Sequence, residues 1–288
     1  MCIDKESLTI NESVRVVSIQ SRTRIFFAFR TLITLIVINR NCPMKFETVL
    51  TVSQSKRLIA RGVRNHPAVK TAFNNGIIGI CRGTTCTYVA EEFTGRTLEP
   101  FSYTTGLTLP KKPSPGITSP KTTVHDVIVR RGEIHMDGET VIEASVNMNP
   151  GDVIVKGANA LNYDKGIAGC LVGHPKGGTV GGFWGPLYGR KIHLVIPVGL
   201  EKETAGDIIE LSRLSMEDNP GSSLMPMTGI IITEIEAIRI LSGATAFHLA
   251  SGGIRGAEGA VRLILDGTAD EIALAKDELA SLENEAPF

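Results

Sequence analysis

Four short runs of apolar residues, each followed directly by glycine and polar side chains, constrain the fold of this chain more than any other feature. The runs cover residues 77–81, 153–155, 167–172 and 192–198, and no polar residue interrupts the central 153–155 run. Uninterrupted runs of this length are typical of strands that are buried on both faces of a parallel sheet. The sequence therefore predicts an α/β fold, with an open, mostly parallel sheet flanked by helices.

Three parts are predicted along the 288 residues of the chain. Residues 1–43 form an N-terminal extension whose apolar run, 25–38, is shorter than the ~20 residues that span a bilayer. A regular pattern begins only at Met44, so we predict that the extension is poorly packed or not native. Residues 44–221 are predicted to form an α/β ligand-binding domain, and residues 222–288 a small α+β subdomain that ends in an amphipathic helix.

Composition excludes several classes of function. The 30 basic and 30 acidic residues balance, so no net field favours nucleic acid or an anionic membrane surface. The five cysteines show neither C-x-x-C pairs nor histidines at zinc spacing. The chain is therefore predicted to be a reduced, cytoplasmic protein with no membrane span, no metal and no cofactor.

The turn after the first apolar run is a candidate anion site. Arg82, Gly83, Thr84 and Thr85 separate a predicted strand from a predicted helix, whose first N–H groups and dipole would favour a negative charge. The alternative is an ordinary strand–helix connection in which Thr84 or Thr85 is the N-cap. Both interpretations stay open from the sequence.

Further candidates follow the other three runs. Because the carboxyl ends of parallel strands meet at one edge of a sheet, their polar residues are predicted to share one crevice. The glycines after the third run predict a backbone with positive φ or one that approaches a ligand closely. The candidates are Lys156, Gly157, Asn159 and Asp164 after the second run, His174, Lys176, Gly177 and Gly178 after the third, and Glu201 after the fourth.

Other segments give weaker signals. The proline-rich stretch 97–124 is predicted to be a long surface loop, either a lid or a plain connection. Asp137 and Gly138 predict a turn or a hairpin. No G-x-S-x-G, H-E-x-x-H or strand-linked G-x-G-x-x-G motif is present, which disfavours serine hydrolases, zinc proteases and dinucleotide dehydrogenases. The cysteines at 81, 86 and 170 are either thiol nucleophiles or core residues.

Two segments resemble a known superfamily. IIGICRGTTCTYVAEE, at 77–92, resembles the phosphate turn of the ribose-5-phosphate isomerases, sugar-phosphate-sensing regulators and CoA-transferases. VIVKGANALNYDKGIAG, at 153–169, is similar to the strand and Gly-Ala-Asp segment of that superfamily. The resemblance covers about 44–220. It implies a distant member that often assembles as an oligomer, in which Arg82, Gly83, Thr84 and Thr85 hold a phosphate and Lys156, Gly157 and Asn159 line the reacting carbons.

One departure from that pattern divides the functional hypotheses. Asn159 stands where the superfamily has an acidic residue, and an amide cannot act as a general base, so isomerisation would need Asp164 or Glu201 instead.

The first hypothesis is an isomerase or a transferase that acts on a sugar phosphate, a nucleotide or a CoA ester. Thr84, Thr85 and Lys176 would hold the phosphate, His174 or Glu201 would move protons, and Lys156 would stabilise an oxyanion. The second is a sensor that binds such a ligand without turnover.

Overall fold

A computed structural model of the chain describes residues 43–106, 108, 122–218 and 221–287. Within these ranges eight helices surround one six-stranded mixed sheet and two three-stranded antiparallel sheets, which is an α/β architecture. The predicted N-terminal extension, except for Pro43, and half of the proline-rich stretch 97–124 lie outside the described residues. No helix in these ranges is long and apolar enough to cross a membrane.

The strands and helices alternate along most of the chain. The strands are β1 (Met44–Leu50), β2 (Ile77–Ile80), β3 (Val127–Arg130), β4 (Glu133–His135), β5 (Val153–Val155), β6 (Ala160–Asn162), β7 (Ile167–Val172), β8 (His193–Pro197), β9 (Ser223–Met227), β10 (Ile230–Ile232), β11 (Thr245–Ser251) and β12 (Val261–Gly267). The helices are α1 (Val52–Asn65), α2 (Pro67–Asn75), α3 (Thr84–Thr94), α4 (Val141–Ser145), α5 (Gly178–Gly189), α6 (Ile208–Ser215), α7 (Glu234–Ser242) and α8 (Ala269–Ala280). A single 3₁₀ turn, Leu200–Lys202, follows β8.

The main sheet has the strand order β10-β8-β5-β2-β3-β4. Its first four strands are parallel neighbours, and β3 and β4 extend it in the antiparallel sense. Six of the nine strand pairings among the described residues are antiparallel, so the predicted mostly parallel sheet is not confirmed. The parallel part is confined to the four strands whose carboxyl ends could carry a ligand site.

The third apolar run forms a strand, but not in the main sheet. β7 pairs antiparallel with β6 and β9 in a separate sheet. The reason is the short connection between β6 and β7, since a parallel neighbour would require a crossover of a dozen or more residues. The fourth parallel strand of the main sheet is instead β10, which pairs with β8 through Ile231 and Ile196.

The third sheet joins the two ends of the described chain. Its order is β1-β12-β11, and β1 pairs with β12 from Met44 opposite Gly267 to Leu50 opposite Val261. Pairing therefore crosses the predicted 221/222 division in both directions, because β1 joins a C-terminal sheet and β10 joins the main one. The division itself stays a prediction.

Apolar residues of the main sheet alternate between two hydrophobic clusters, one on each face. On β5, Val153 and Val155 belong to the cluster that includes α1, α2 and α3, whereas Ile154 belongs to the cluster that includes α4 and α5. All three side chains are fully buried. This two-sided burial explains why the strand carries no polar residue.

Side-chain caps account for the start of most helices in the described ranges. The first helix begins at a capping box of Thr51 and Gln54. The predicted amphipathic helix near the C-terminus is confirmed as α8. The hairpin turn lies at Arg131 and Gly132, whose φ angles are 48° and 86°. Asp137 and Gly138 form a bend, with φ 113° at Gly138, but not a hairpin.

Candidate functional site

A cavity of about 270 Å³ lies at the carboxyl ends of β2 and β5. We call it the basic pocket, because Arg82 and Lys156 are the charged side chains among its lining residues. The remaining described lining includes Cys170 of β7 and the glycine-rich loop that leads into α5, with His174, Gly177, Gly178 and Thr179. The pocket thus lies between the main sheet and the β6-β7-β9 sheet.

Lys156 directly follows β5, and its side chain lines this pocket. Its Nζ donates a hydrogen bond to the carbonyl oxygen of Gly157 at 3.2 Å. Burial disfavours the ammonium form, but the neighbouring sulfur groups of Cys170, Cys81 and Cys86 outweigh burial and raise the pKa of Lys156. Lys156 therefore carries a fixed positive charge at neutral pH.

Arg82 is held on the other side of the pocket by a buried carboxylate. Its Nε lies 2.9 Å from Oδ1 of Asp126, and Oδ2 of Asp126 accepts the main-chain N–H of Val141 at 2.9 Å. Asp126 is almost fully buried, whereas Arg82 is half-buried. A guanidinium has five N–H donors, so this ion pair orients Arg82 and leaves donors for a ligand.

The first turn of α5 supplies a third group that favours anions. Its N-cap is Gly177 with φ 78°, and no side chain caps the helix. Gly178 also has a positive φ, of 58°, so these two glycines meet the predicted need for left-handed backbone. The free N–H groups and the dipole of an uncapped helix start attract negative charge.

The predicted phosphate turn is only partly at this pocket. Arg82 lines it, whereas Gly83, Thr84 and Thr85 do not. The N-cap of α3 is Gly83, again without a side-chain cap, so neither threonine is the N-cap and both lie in the first helical turn. Thr85 is buried there.

Four other predicted residues lie near the basic pocket or along its loops but do not line it. Gly157, beside Lys156, donates its main-chain N–H to Cys86. Asn159 is used within the β6-β7 hairpin region, where its Oδ1 accepts the N–H of Leu171 at 3.0 Å. Asp164 and Lys176 are exposed and do not line the basic pocket.

Glu201 belongs to a second group, which we call the buried acid–base cluster: Ser55, Lys56, Glu201, Lys202 and Glu234. Glu201 follows β8 and Glu234 follows β10, so both lie at the carboxyl edge of the main sheet. Burial and the nearby charge of Glu201 raise the pKa of Glu234 to about 7. Burial and the nearby charge of Lys202 lower the pKa of Lys56 to about 8.

Two carboxylate oxygens of this cluster are buried without a hydrogen-bond partner among the described residues. They are Oε2 of Glu201 and Oε1 of Glu234. The other oxygen of Glu234 accepts the N–H of Leu200 at 3.0 Å. The sequence pointed to Glu201 alone, although Glu234 follows the strand 230–232 in the same way and could have been found by that signal.

A more apolar cavity of about 620 Å³ adjoins the basic pocket. The two share the segment from Val172 to His174 and also Gly177. Beyond the shared part, the larger cavity is lined mainly by apolar side chains, which are Met216, Leu224, Met225 and Pro226. A ligand held by its anionic end in the basic pocket can therefore extend over an apolar surface.

A cavity of about 550 Å³ at the opposite edge of the main sheet is a weaker candidate. Its buried acidic residue, Asp152, already accepts the N–H groups of Ile77 and Asn149, both at 2.7 Å. Those bonds explain Asp152 as a structural residue. In the described ranges, no group of three or more His, Cys, Asp or Glu side chains is arranged to hold a metal ion.

Comparison of the chain with protein-family models, with curated proteins and with solved structures finds no match. The basic pocket and the acid–base cluster therefore carry the functional argument.

Proposed function

We propose that this protein binds a phosphorylated small molecule in the basic pocket. One observation carries the proposal: Arg82, Lys156 and the uncapped start of α5 come from three separate segments and line one cavity. Each of the three favours an anion, and arginine and helix N-termini match phosphate oxygens particularly well. Charge concentrated in this way would be costly without a ligand or solvent to neutralise it.

The adjoining cavity favours a ligand with an extended, partly apolar portion. A sugar phosphate would occupy the basic pocket alone, whereas the longer nucleotide or CoA ester would also cover the surface around Met216 and Met225. Ligand sites commonly combine such an apolar lining with a few polar groups that fix orientation. We therefore propose a nucleotide or a CoA ester ahead of a simple sugar phosphate.

Binding without turnover is favoured over isomerase chemistry. No carboxylate is among the described residues that line the basic pocket, and Asn159 is used in a main-chain contact. Isomerisation through an enediol needs a base beside the reacting carbon. His174 is the one imidazole in the described lining, so turnover with His174 as the proton carrier is the second candidate.

The resemblance to the ribose-5-phosphate isomerase, sugar-phosphate regulator and CoA-transferase superfamily supports a phosphate ligand. We propose distant membership on that basis, together with assembly into a homo-oligomer. Size-exclusion chromatography with light scattering tests the second point.

The test of binding is a thermal-shift and calorimetric screen of the full chain. Inorganic phosphate, ribose 5-phosphate, adenosine diphosphate and CoA are compared for the wild type and for Lys156→Met. Loss of a charged hydrogen bond costs roughly 1.5–3 kcal/mol, so affinity should fall about 10- to 100-fold. The matched control is Lys70→Met, an exposed lysine of α2.

Two results would overturn the proposal. One is the lack of any shift with all four compounds. The other is an equal loss of affinity in Lys70→Met and Lys156→Met, which would indicate non-specific charge attraction. Nuclear magnetic resonance of each bound compound after incubation separates binding from turnover, and His174→Gln should abolish any turnover that is seen.

A further inference from the structure

Three polar side chains meet where β11 reaches the loop that follows β8. His248 and Ser251 lie on β11, and Glu203 lies directly after the 3₁₀ turn 200–202. Nδ1 of His248 is 3.2 Å from Oε2 of Glu203, and Nε2 of His248 is 2.7 Å from Oγ of Ser251. A carboxylate, an imidazole and a hydroxyl are thus arranged in one line of hydrogen bonds.

An irregularity in β11 makes this arrangement possible. Side chains three positions apart point to opposite faces of a regular strand, so His248 and Ser251 would be separated. The pairing with β12 shifts between His248 and Ala250, which leaves Leu249 as an extra residue. His248 pairs with Leu263 before the shift, and Ser251 pairs with Val261 after it. Leu263 and Val261 are two positions apart on β12, so His248 and Ser251 lie on the same face of the sheet.

The carboxylate determines which nitrogen of His248 carries the proton. A carboxylate accepts hydrogen bonds, so Glu203 favours the tautomer with the proton on Nδ1. The lone pair of Nε2 then faces the hydroxyl of Ser251 at 2.7 Å, the distance at which a base can take a proton. These are the roles of nucleophile, base and orienting acid in a hydrolytic triad.

Access and main-chain donors complete the arrangement. Ser251 is exposed, and the His248 side chain keeps 23% of its surface exposed, so that an ester and then water can reach both groups. Ser251 is followed by Gly252 with φ 93°. The N–H groups of Gly253 and Ile254 have no hydrogen-bond partner among the described residues.

We propose that Ser251, His248 and Glu203 form a nucleophilic triad that hydrolyses small carboxylic esters. The hydroxyl oxygen of Ser251 attacks the ester carbonyl carbon while its proton moves to Nε2 of His248. The C–O bond to the leaving alkoxide breaks, and His248 returns the proton to give the alcohol. Water then attacks the acyl-serine by the same route, which releases the carboxylic acid and restores Ser251.

The oxyanion formed in each attack is stabilised by the free N–H groups that follow Ser251. The site has no deep cavity among those described, so short acyl chains are the substrates that fit. This activity is independent of the phosphate ligand, because none of the three residues lines the basic pocket.

The test treats the full chain with a fluorophosphonate probe and, separately, with p-nitrophenyl acetate. The probe should form a covalent adduct that mass spectrometry locates on Ser251. Hydrolysis should fall at least about 100-fold in Ser251→Ala and in His248→Gln, the range lost with a general base. Glu203→Gln should weaken both signals, because the tautomer of His248 is no longer fixed.

The matched control is His135→Gln, which removes a histidine 4.0 Å from the carboxylate of Glu133 but without a serine partner. It should leave labelling and hydrolysis at the wild-type level. Melting temperatures of all variants verify that the exposed substitutions leave the fold intact. An adduct on another residue, or hydrolysis that persists in Ser251→Ala, would overturn the proposal.

Discussion

The basic pocket and the buried acid–base cluster lie along the same edge of the main sheet and differ in almost every physical respect. The pocket is open and lined by Arg82 and Lys156 without a carboxylate among its described lining. The cluster is largely buried, although Lys202 keeps 23% of its side-chain surface exposed, and it combines two lysines with Glu201 and Glu234. The positive charges of the open pocket suit the binding of an anion. In the cluster, burial shifts the pKa values of Lys56 and Glu234 toward neutrality, so the stability of the fold depends on pH.

Packing explains the difference. β2 and β5 end beside the separate β6-β7-β9 sheet, and the space between the two sheets is the pocket. β8 and β10 end beneath helices, since α1 packs closely on α7, and Gly62 lies so near Ala237 that a Cβ there would be 2.8 Å away. Close helix packing accounts for the burial of Ser55, Lys56 and Glu234 in the second region.

The largest expected effect concerns Glu234. Its pKa is raised from 4.5 to about 7, so the folded state holds a proton that the unfolded state releases. Its contribution to stability is complete below pH 4.5 and is lost as the pH rises through 7. The loss is roughly 3 kcal/mol. In Glu234→Gln this fall should disappear, as measured by urea unfolding between pH 5 and pH 8.

The control for that experiment is Glu283→Gln, which replaces an exposed carboxylate. It should keep the wild-type slope. An unchanged slope in Glu234→Gln would mean that the cluster is open to solvent and that the contrast with the basic pocket is not real.

The titration of Lys56 should raise the stability of the fold at higher pH, whereas that of Glu234 lowers it. Its pKa is lowered from 10.5 to about 8, so the folded state releases its proton first. Stability should rise between pH 8 and pH 10.5 by roughly 3 kcal/mol. Lys56→Met should remove this rise, and the difference from the wild type isolates it from other groups that titrate in the same range. Lys70→Met should behave as the wild type does.

The sequence predicted the elements of the fold better than their arrangement. All four apolar runs form strands, because continuous burial requires unbroken apolar residues. Their grouping into sheets depends on connection length and on contacts between distant segments. The hairpin at 160–172 took β7 out of the main sheet, and no local pattern marked β10 as its replacement.

The sequence likewise predicted some residues of the candidate site but not how all of them are arranged. Residues directly after a parallel strand, such as Arg82 and Lys156, reach the pocket because the strand itself directs them there. Position farther along a loop is not decided by the strand. Asn159 and Asp164 lie outside the pocket, whereas Gly177 and Gly178 line it because the loop after β7 leads into α5. The triad of Glu203, His248 and Ser251 had no sequence motif, since a pairing irregularity and a distant loop create it.

A smaller effect is expected for Arg82→Lys. The substitution keeps the positive charge but loses the planar fork, which contacts Asp126 and has further N–H donors for the proposed ligand. Affinity for the best phosphorylated ligand should fall about tenfold by calorimetry, equivalent to about 1.4 kcal/mol. Arg96→Lys, on an exposed segment after α3, should leave affinity unchanged. Equal affinities in Arg82→Lys and the wild type would show that only net charge matters in the pocket.

The smallest expected effect, Lys176→Ala, separates the sequence interpretation from the structural one. The sequence placed this lysine on the phosphate, but its side chain is exposed and does not line the basic pocket. Its main-chain N–H, which donates to Nδ1 of His174 at 3.1 Å, survives the substitution. Affinity should therefore change less than about twofold, since an exposed charge is screened by water and salt. A loss as large as that of Lys156→Met would instead mean that the glycine-rich loop folds over the ligand and brings Lys176 into the pocket.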